Sequence, residues 1–422
     1  MKAYPPPPHR GQRFRVLASN EARGNGSGAA FRGLCLALPL VIGSLGANLA
    51  EAQSASPAAA PAAPAVGAAV QGRVKPIDWR HRIEARELSE AGQGCWTSPV
   101  VQAAFPFNEL IYYWNVRLPR DQGFRLYLQV EFGPGDRSPW LYAGYWGDVR
   151  FSGKRANPSF DRGVLDEDTL QLKAKATGYQ FKVVAEGDAP LTVLPALGAI
   201  ATDTSPTEEL AARYQPSETG ARAAAKLLDV PLRLQVDVCG NPLKDRCQSA
   251  ALSSAMQYFG KPVPLEQIIC YTTDPEYESF GIWPRTINAA VEHGFAAYLD
   301  RFRDWNAVRR TVAENKVILC SITMPPGKEY LAPPYAQMEG HIVALCGVTD
   351  DGRVIVTDSA STAQKAQEGG HCLQWLQADF EKIWMRNKGG VGMVICPPAN
   401  AEEHLVRDLP AYPRPVPARQ AP

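Results

Sequence analysis

Between residues 124 and 132, Phe124, Leu126, Leu128, Val130 and Phe132 alternate without a break with Arg125, Tyr127, Gln129 and Glu131. A period of two puts all five apolar side chains on one face of an extended chain, which a helix cannot do. This part of the chain is therefore committed to a sheet with one buried face. Residues 109–118 form a second strand candidate, and 191–201 continue the series. Residues 170–176 and 179–185 flank Thr177-Gly178, which predicts a hairpin. Strands at short spacing, with no amphipathic helix between them, predict a β-sandwich over residues 76–205. Trp114, Trp140, Tyr142, Tyr145 and Trp146 crowd this region. Aromatic residues are enriched in strands and cores, so sandwich core is the expected role, ahead of a stacking platform for sugar or polymer.

Residues 206–228 are polar and Ala-rich and read as a connector with room for a short helix. The pattern then changes. Residues 247–260 carry Leu252, Met256 and Phe259 at i, i+4 and i+7, a helical stripe. Residues 284–293 and 305–314 predict two more helices, and apolar runs at 317–322, 342–348, 354–357 and 391–396 predict strands. Helices first and strands later is an α+β order. The second unit is expected over residues 229–399.

The ends read differently. Residues 34–47 are apolar but shorter than the roughly 20 residues a membrane helix needs. Basic residues precede them and Ala50-Glu51-Ala52 follows. This is the layout of a signal peptide over residues 1–52, so a secreted or periplasmic protein is expected, with no transmembrane domain after processing. Residues 53–75 are an Ala/Pro-rich linker, and 400–422 a Pro-rich tail. Formal charge over the 422 residues is +1. The first 52 hold six Lys/Arg against two Asp/Glu, which leaves the body at −3 and gives it no electrostatic reason to bind nucleic acid. No C-x-x-C occurs, so the common zinc and thioredoxin spacings are absent. Cys320, Cys346 and Cys396 fall in apolar runs and read as inert thiols. Cys239, Cys270 and Cys372 lie nearer loops, where one disulfide is a candidate, and Cys95 stands alone in the first unit.

Asp245-Arg246-Cys247-Gln248 opens the helix at 247. Asp245 as N-cap with Gln248 at N3 would make a capping box and put Cys247 in the first turn. There the unpaired N–H groups and the helix dipole favour a thiolate, the nucleophilic form. Downstream, His341 begins an apolar run that turns at Asp350-Asp351-Gly352 and returns to Asp358. Folded as a hairpin, the two runs bring Asp358 across from the region of Ala344, toward the His341 end, where a group that orients an imidazole belongs. His293, before Gly294, reads as a helix-end residue; His371 and His404 lie in polar, loop-like segments. The Pro-rich loop 324–340 and the segment 280–285, with Trp283 as an apolar subsite, are candidate walls of a cleft.

The stretches LDVPLRLQ, RCQSAALSSAMQYFG, GIWPRTINAAVEHGFAAYLDRF, GHIVALCGVTDDGRVIVTDSA and DFEKIWMRNKGGVGMVICP resemble the exported members of the bacteriocin-processing-like peptidases, group thirty-nine of the cysteine peptidases. YYWNV, PWLYAGYWG and EDTLQL resemble the β-rich half that precedes the peptidase in such members. The resemblance implies a papain-like fold with Cys247 as nucleophile, His341 as base, Asp358 as the group orienting it and Gln235 as oxyanion donor. Relatives fused to transporters carry a membrane and a nucleotide-binding domain; neither is seen in this sequence, so leader processing during transport is not carried over.

The expected protein is an exported cysteine peptidase acting on peptide or protein, with no metal or organic cofactor. The β unit is a candidate for contact with polymer or cell wall. Two other readings keep the papain-like domain: an amidase or acyltransferase using the same triad, and a non-catalytic binding protein.

Overall fold

The computed structural model describes residues 74–149, 154–214, 224–327, 329–360 and 370–398. The leader, the linker up to residue 73, the tail and His404 lie outside them. Among the described residues no helix is long and apolar enough to cross a membrane.

The first half is built from strands β1 (Ile77–Ile83), β2 (Ser89–Gly92), β3 (Cys95–Thr97), β4 (Val101–Asn115), β5 (Gln122–Gly133), β6 (Asp136–Arg137), β7 (Leu141–Gly147), β8 (Ser159–Phe160), β9 (Gly163–Asp166), β10 (Thr169–Gly187) and β11 (Ala196–Asp203). They are hydrogen-bonded into one 11-stranded sheet, with β5 to β9 branching off the path β1-β11-β4-β10-β3-β2. The alternation in β5 buries Phe124, Leu126, Leu128 and Val130 completely. The hairpin expected at Thr177-Gly178 does not form. Residues 169–187 are one strand, and the pairing with β4 shifts register between Gln171, Ala176 and Gly178. The first part of β10 pairs with β9 and the last part with β5 and β3, so these bulges turn one strand between two leaves of the sheet. A Gly inside a strand signals a bulge or close backbone approach as readily as a turn.

Helix α1 (Glu208–Tyr214) follows, where the connector left room for one. The second half carries α2 (Cys247–Tyr258), α3 (Leu265–Thr272), α4 (Trp283–Glu292) and α5 (Trp305–Ala313), with β12 (Ala297–Arg301) between the last two. Then come β13 (Val317–Met324), β14 (Met338–Val348), β15 (Arg353–Thr357), β16 (Leu373–Leu376), α6 (Gln377–Phe380) with a π-helical turn after it, and β17 (Val391–Ile395). The strands form a six-stranded antiparallel sheet in the order β12-β17-β13-β14-β15-β16. Helix α2 packs against β14 and is buried from Gln248 to Met256. Its small side chains permit that, and its hydroxyls are satisfied inside: Ser249 bonds Thr272 (2.7 Å) and Ser253 donates to the Val263 carbonyl (3.0 Å).

The halves share one compact unit and one continuous apolar core. Several of the aromatic residues are neither an exposed platform nor simple sheet core, because they dock the second half. Trp146 stacks on Tyr271 (centroids 5.9 Å apart) and donates to Glu292 (2.9 Å). Tyr142 donates to Glu276 (2.7 Å), which also accepts from Arg125 (3.0 Å). Asp168 accepts the Trp283 N–H at the start of α4 (2.7 Å), and Asn288 accepts the Val116 N–H (2.8 Å). The contact around Arg125 and Glu276 is a network rather than a single pair, since Arg125 also holds Glu186 (2.7 Å) and Glu276 also holds Arg155 (3.4 Å).

Candidate active site

Cys247 is the first residue of α2, but its cap differs from expectation. Arg246 is the N-cap residue and no side chain caps the helix. Asp245 has a left-handed φ of 60°, so its carboxylate does not cap. Gln248 does not reach back either. It is buried and donates to the Ile282 carbonyl (2.9 Å) and to Thr286, pinning α2 to α4. The thiol still sits at an uncapped helix start, where free N–H groups and the dipole favour negative charge.

His341 lies on β14 opposite Ile322 of β13. The hairpin pairs Ala344 with Thr357, one residue from the expected partner Asp358, because a register shift between Leu345 and Gly347 takes up a residue. His341 Nε2 and Asp358 Oδ1 are 2.7 Å apart, and both side chains are almost wholly buried. Cys247 is hydrogen-bonded to the same imidazole. The thiol also meets the backbone N–H groups of Ile342 and Gln248. Cysteine, imidazole and carboxylate therefore form one hydrogen-bonded line, with Cys247 the partly exposed end.

Burial opposes each charge in this line, and the partners outweigh it. Burial would raise the Cys247 thiol, yet the His341 bond and charge with the two backbone donors hold it below the ordinary thiol value. Burial would lower the His341 imidazole, yet Asp358 and the thiolate push it up to about 10. Asp358 is held below the usual carboxylate range by His341, Tyr335 and the Ala360 N–H. Both shifts favour the thiolate–imidazolium form of the pair.

Three supports of Asp358 carry no pattern that could be read beforehand. Tyr335, in the Pro-rich loop, donates to Asp358 Oδ2. Its ring meets the His341 ring edge-on, with centroids 6.0 Å apart. Asp379 of α6, fully buried, accepts the N–H groups of Leu331 (3.0 Å) and Ala332 (2.7 Å), which ties the loop down. Gly370 accepts the Asp358 N–H (2.7 Å), and a Cβ at Gly370 would lie 2.2 Å from the Asp358 carbonyl oxygen. Only glycine allows the chain that close.

Gln235 is brought to the same region through its backbone: its N–H donates to Ser359 (3.3 Å) and its carbonyl accepts from Leu243 (2.7 Å). Its side-chain oxygen is buried without a partner, and its amide is not bonded to Cys247 or His341. On the other flank Arg246 stacks over Phe280 (3.2 Å to the centroid). Trp283 is half-buried against the core. His293 caps α4 at its C-terminal end, but burial lowers its pKa and it bonds as a neutral ring to the Ala289 carbonyl (2.7 Å). The eight cysteines of the described residues are all free thiols, so no disulfide forms among them.

Residues 227–391 match the Peptidase C39 like family, and residues 63–213 match the Peptidase C39 N-terminal domain. The second half of the chain belongs to this family of cysteine peptidases, with the family's N-terminal domain before it. No curated protein matches the chain. Among solved structures, a double glycine motif protease from an AMS/PCAT transporter, in complex with the leader peptide, is 17% identical. That match covers 42% of this chain and 96% of that one, with a TM-score of 0.26. A C39-like peptidase from Bacillus anthracis is 14% identical over 41% of this chain and 97% of its own, with a TM-score of 0.31.

Proposed function

We propose that the chain is an exported cysteine peptidase with a papain-like catalytic half that hydrolyses peptide bonds through Cys247, His341 and Asp358. The observation that carries this reading is the hydrogen-bonded line from a largely buried thiol through a buried imidazole to a buried carboxylate. The Cys247 thiolate adds to the scissile carbonyl, and oxyanion charge develops. The Cys247 backbone N–H and the Gln235 amide are the proposed donors to it. As the C–N bond breaks, the His341 imidazolium gives its proton to the leaving amine and a thioester remains. Neutral His341 then takes a proton from water, hydroxide adds to the thioester, and the released thiolate pairs with the new imidazolium. Asp358 keeps the ring oriented and its charge compensated throughout.

Export rests on the apolar run at 34–47 and its small-residue flank. N-terminal sequencing of the exported protein should find a start near Gln53; retention of Arg32 would refute processing there. For the chemistry, purified protein is offered a peptide library, and cleavage is read by mass spectrometry. Wild type should cleave and trap as a thioester on Cys247 under fast quench. Cleavage that survives in folded Cys247→Ala would overturn the proposal.

A further inference from the structure

We propose that Asp229, His371 and Cys372 form a binding site for a thiophilic divalent cation of the zinc class, apart from the catalytic line. His371 Nε2 lies 2.9 Å from Asp229 Oδ1 and 3.4 Å from Cys372 Sγ, and the three donor atoms fall within 4.8 Å of one another. One ring nitrogen faces both partners, so the donors converge on a point rather than forming a relay. Zinc takes sulfur at about 2.3 Å, imidazole nitrogen at about 2.0–2.1 Å and carboxylate oxygen at about 2.0–2.2 Å. In a tetrahedron those bonds separate the donors by roughly 3.2–3.8 Å, within small adjustments of the spacing seen here.

The backbone is bent to make this convergence. Adjacent residues of an extended chain point to opposite faces. Cys372 has a φ of 52°, a left-handed conformation rare for a residue with a β-carbon, and it brings Sγ beside the preceding imidazole. Asp229 comes from a distant segment, anchored where the Leu228 N–H bonds the Cys346 carbonyl (2.8 Å). The Asp229 and His371 side chains are solvent-accessible, so an ion has a path in. Three protein ligands leave a fourth position. The buried Cys346 thiol is hydrogen-bonded to Cys372. Loading forms a metal–sulfur bond on Cys372, and the thiol proton goes to solvent. The inference stands independently of the peptidase reading.

The test uses full-length Cys247→Ala, so that the catalytic line cannot supply a thiolate. The reduced protein is titrated with Co2+ alone. One equivalent should give sulfur-to-cobalt charge-transfer absorption with the strong visible bands of a four-coordinate ion, displaced by Zn2+. Adding Cys372→Ser should abolish the charge-transfer band. Adding Asp229→Asn, a solvent-exposed change that does not threaten folding, should weaken Co2+ binding by more than the 10–100-fold typical of outer-shell partners, roughly 100-fold or beyond. Absence of the charge-transfer band in Cys247→Ala would overturn the proposal. So would a band that survives Cys372→Ser, or unchanged affinity in Asp229→Asn.

Discussion

Cysteine, histidine and aspartate meet at Cys247, His341 and Asp358, and again at Cys372, His371 and Asp229. The side chains are the same and the chemistry differs. In the first cluster the buried imidazole is hydrogen-bonded to both a carboxylate and a thiol, which suits it to hold and pass a proton. In the second, one nitrogen faces both partners, and the arrangement suits a cation. Environment follows geometry. Burial penalises the Cys247 thiolate, but a buried imidazolium and two backbone donors more than repay it. Burial also penalises Cys372, and with the Asp229 carboxylate nearby its pKa is raised. A Cys/His/Asp composition is therefore no guide to nucleophilicity until the ring's partners are known.

The sharpest way to break this comparison is to remove the proposed catalytic pair. Cys247→Ala should lower turnover of a cleavable peptide below detection, and His341→Ala should cost roughly 10⁴-fold or more, since nothing else protonates the leaving amine. A site-mapped iodoacetamide assay at neutral pH should label Cys247 ahead of Cys372. In His341→Ala, the burial penalty on Cys247 stands with less compensation. Its labelling should slow at least about tenfold, the loss in thiolate that one pKa unit represents. Faster labelling of Cys372 than of Cys247 in wild type would erase the proposed difference. Gln235→Ala is expected to cost about 10²–10³ in rate if its amide reaches the oxyanion, and far less if its backbone contacts are its whole role.

A smaller effect separates charge from geometry. Asp358→Asn keeps a hydrogen-bonding group beside His341 and removes the charge. Asp358 is the leading cause that raises His341 to about 10 against the burial that lowers it. The imidazolium is the working form and exists below that pKa, so the alkaline limb of the pH–rate profile belongs to His341. Without the carboxylate the limb should move to lower pH by roughly one to three units, while some turnover at neutral pH remains. A profile that loses height and keeps its alkaline limb would mean that Asp358 orients the ring without setting its charge.

Much of this site was legible because local pattern and long-range pairing agreed. The strict alternation in β5, the small-residue helix behind Cys247 and the return of Asp358 toward His341 each follow from one period or one turn signal. What misled was chemistry with two physical solutions. Thr177-Gly178 fits a turn and a bulge equally well, and pairing with β4, β5 and β9 chose the bulge. Asp245 is a good cap residue, but its left-handed backbone turns it away. Trp114 is core as expected, but Trp146 and Tyr142 serve the interface with the second half, which no periodicity within one half can encode.

Tyr335 lay beyond reading for a related reason: it sits in a loop with no period, and only the fold brings it to Asp358. It supplies the smallest expected effect and the finest test of the buried line. Tyr335→Phe keeps the ring that packs against His341 and Trp375 and deletes one donor to the carboxylate. Asp358 retains His341 and the Ala360 N–H (2.8 Å), so the fold and most of the activity should survive, with kcat down roughly 3- to 10-fold, the net value of one ordinary hydrogen bond. The signature is on the acid side. Tyr335 is one of the groups that depress the Asp358 pKa. Without it Asp358 takes a proton at higher pH, the imidazolium loses its counter-charge sooner as pH falls, and the acid limb should move upward. KM should stay near the wild-type value because Asp379 still holds the loop at Leu331 and Ala332. A rise in KM with unmoved pH limbs would assign Tyr335 to the shape of the cleft instead, and leave Asp358 oriented by His341 and the backbone alone.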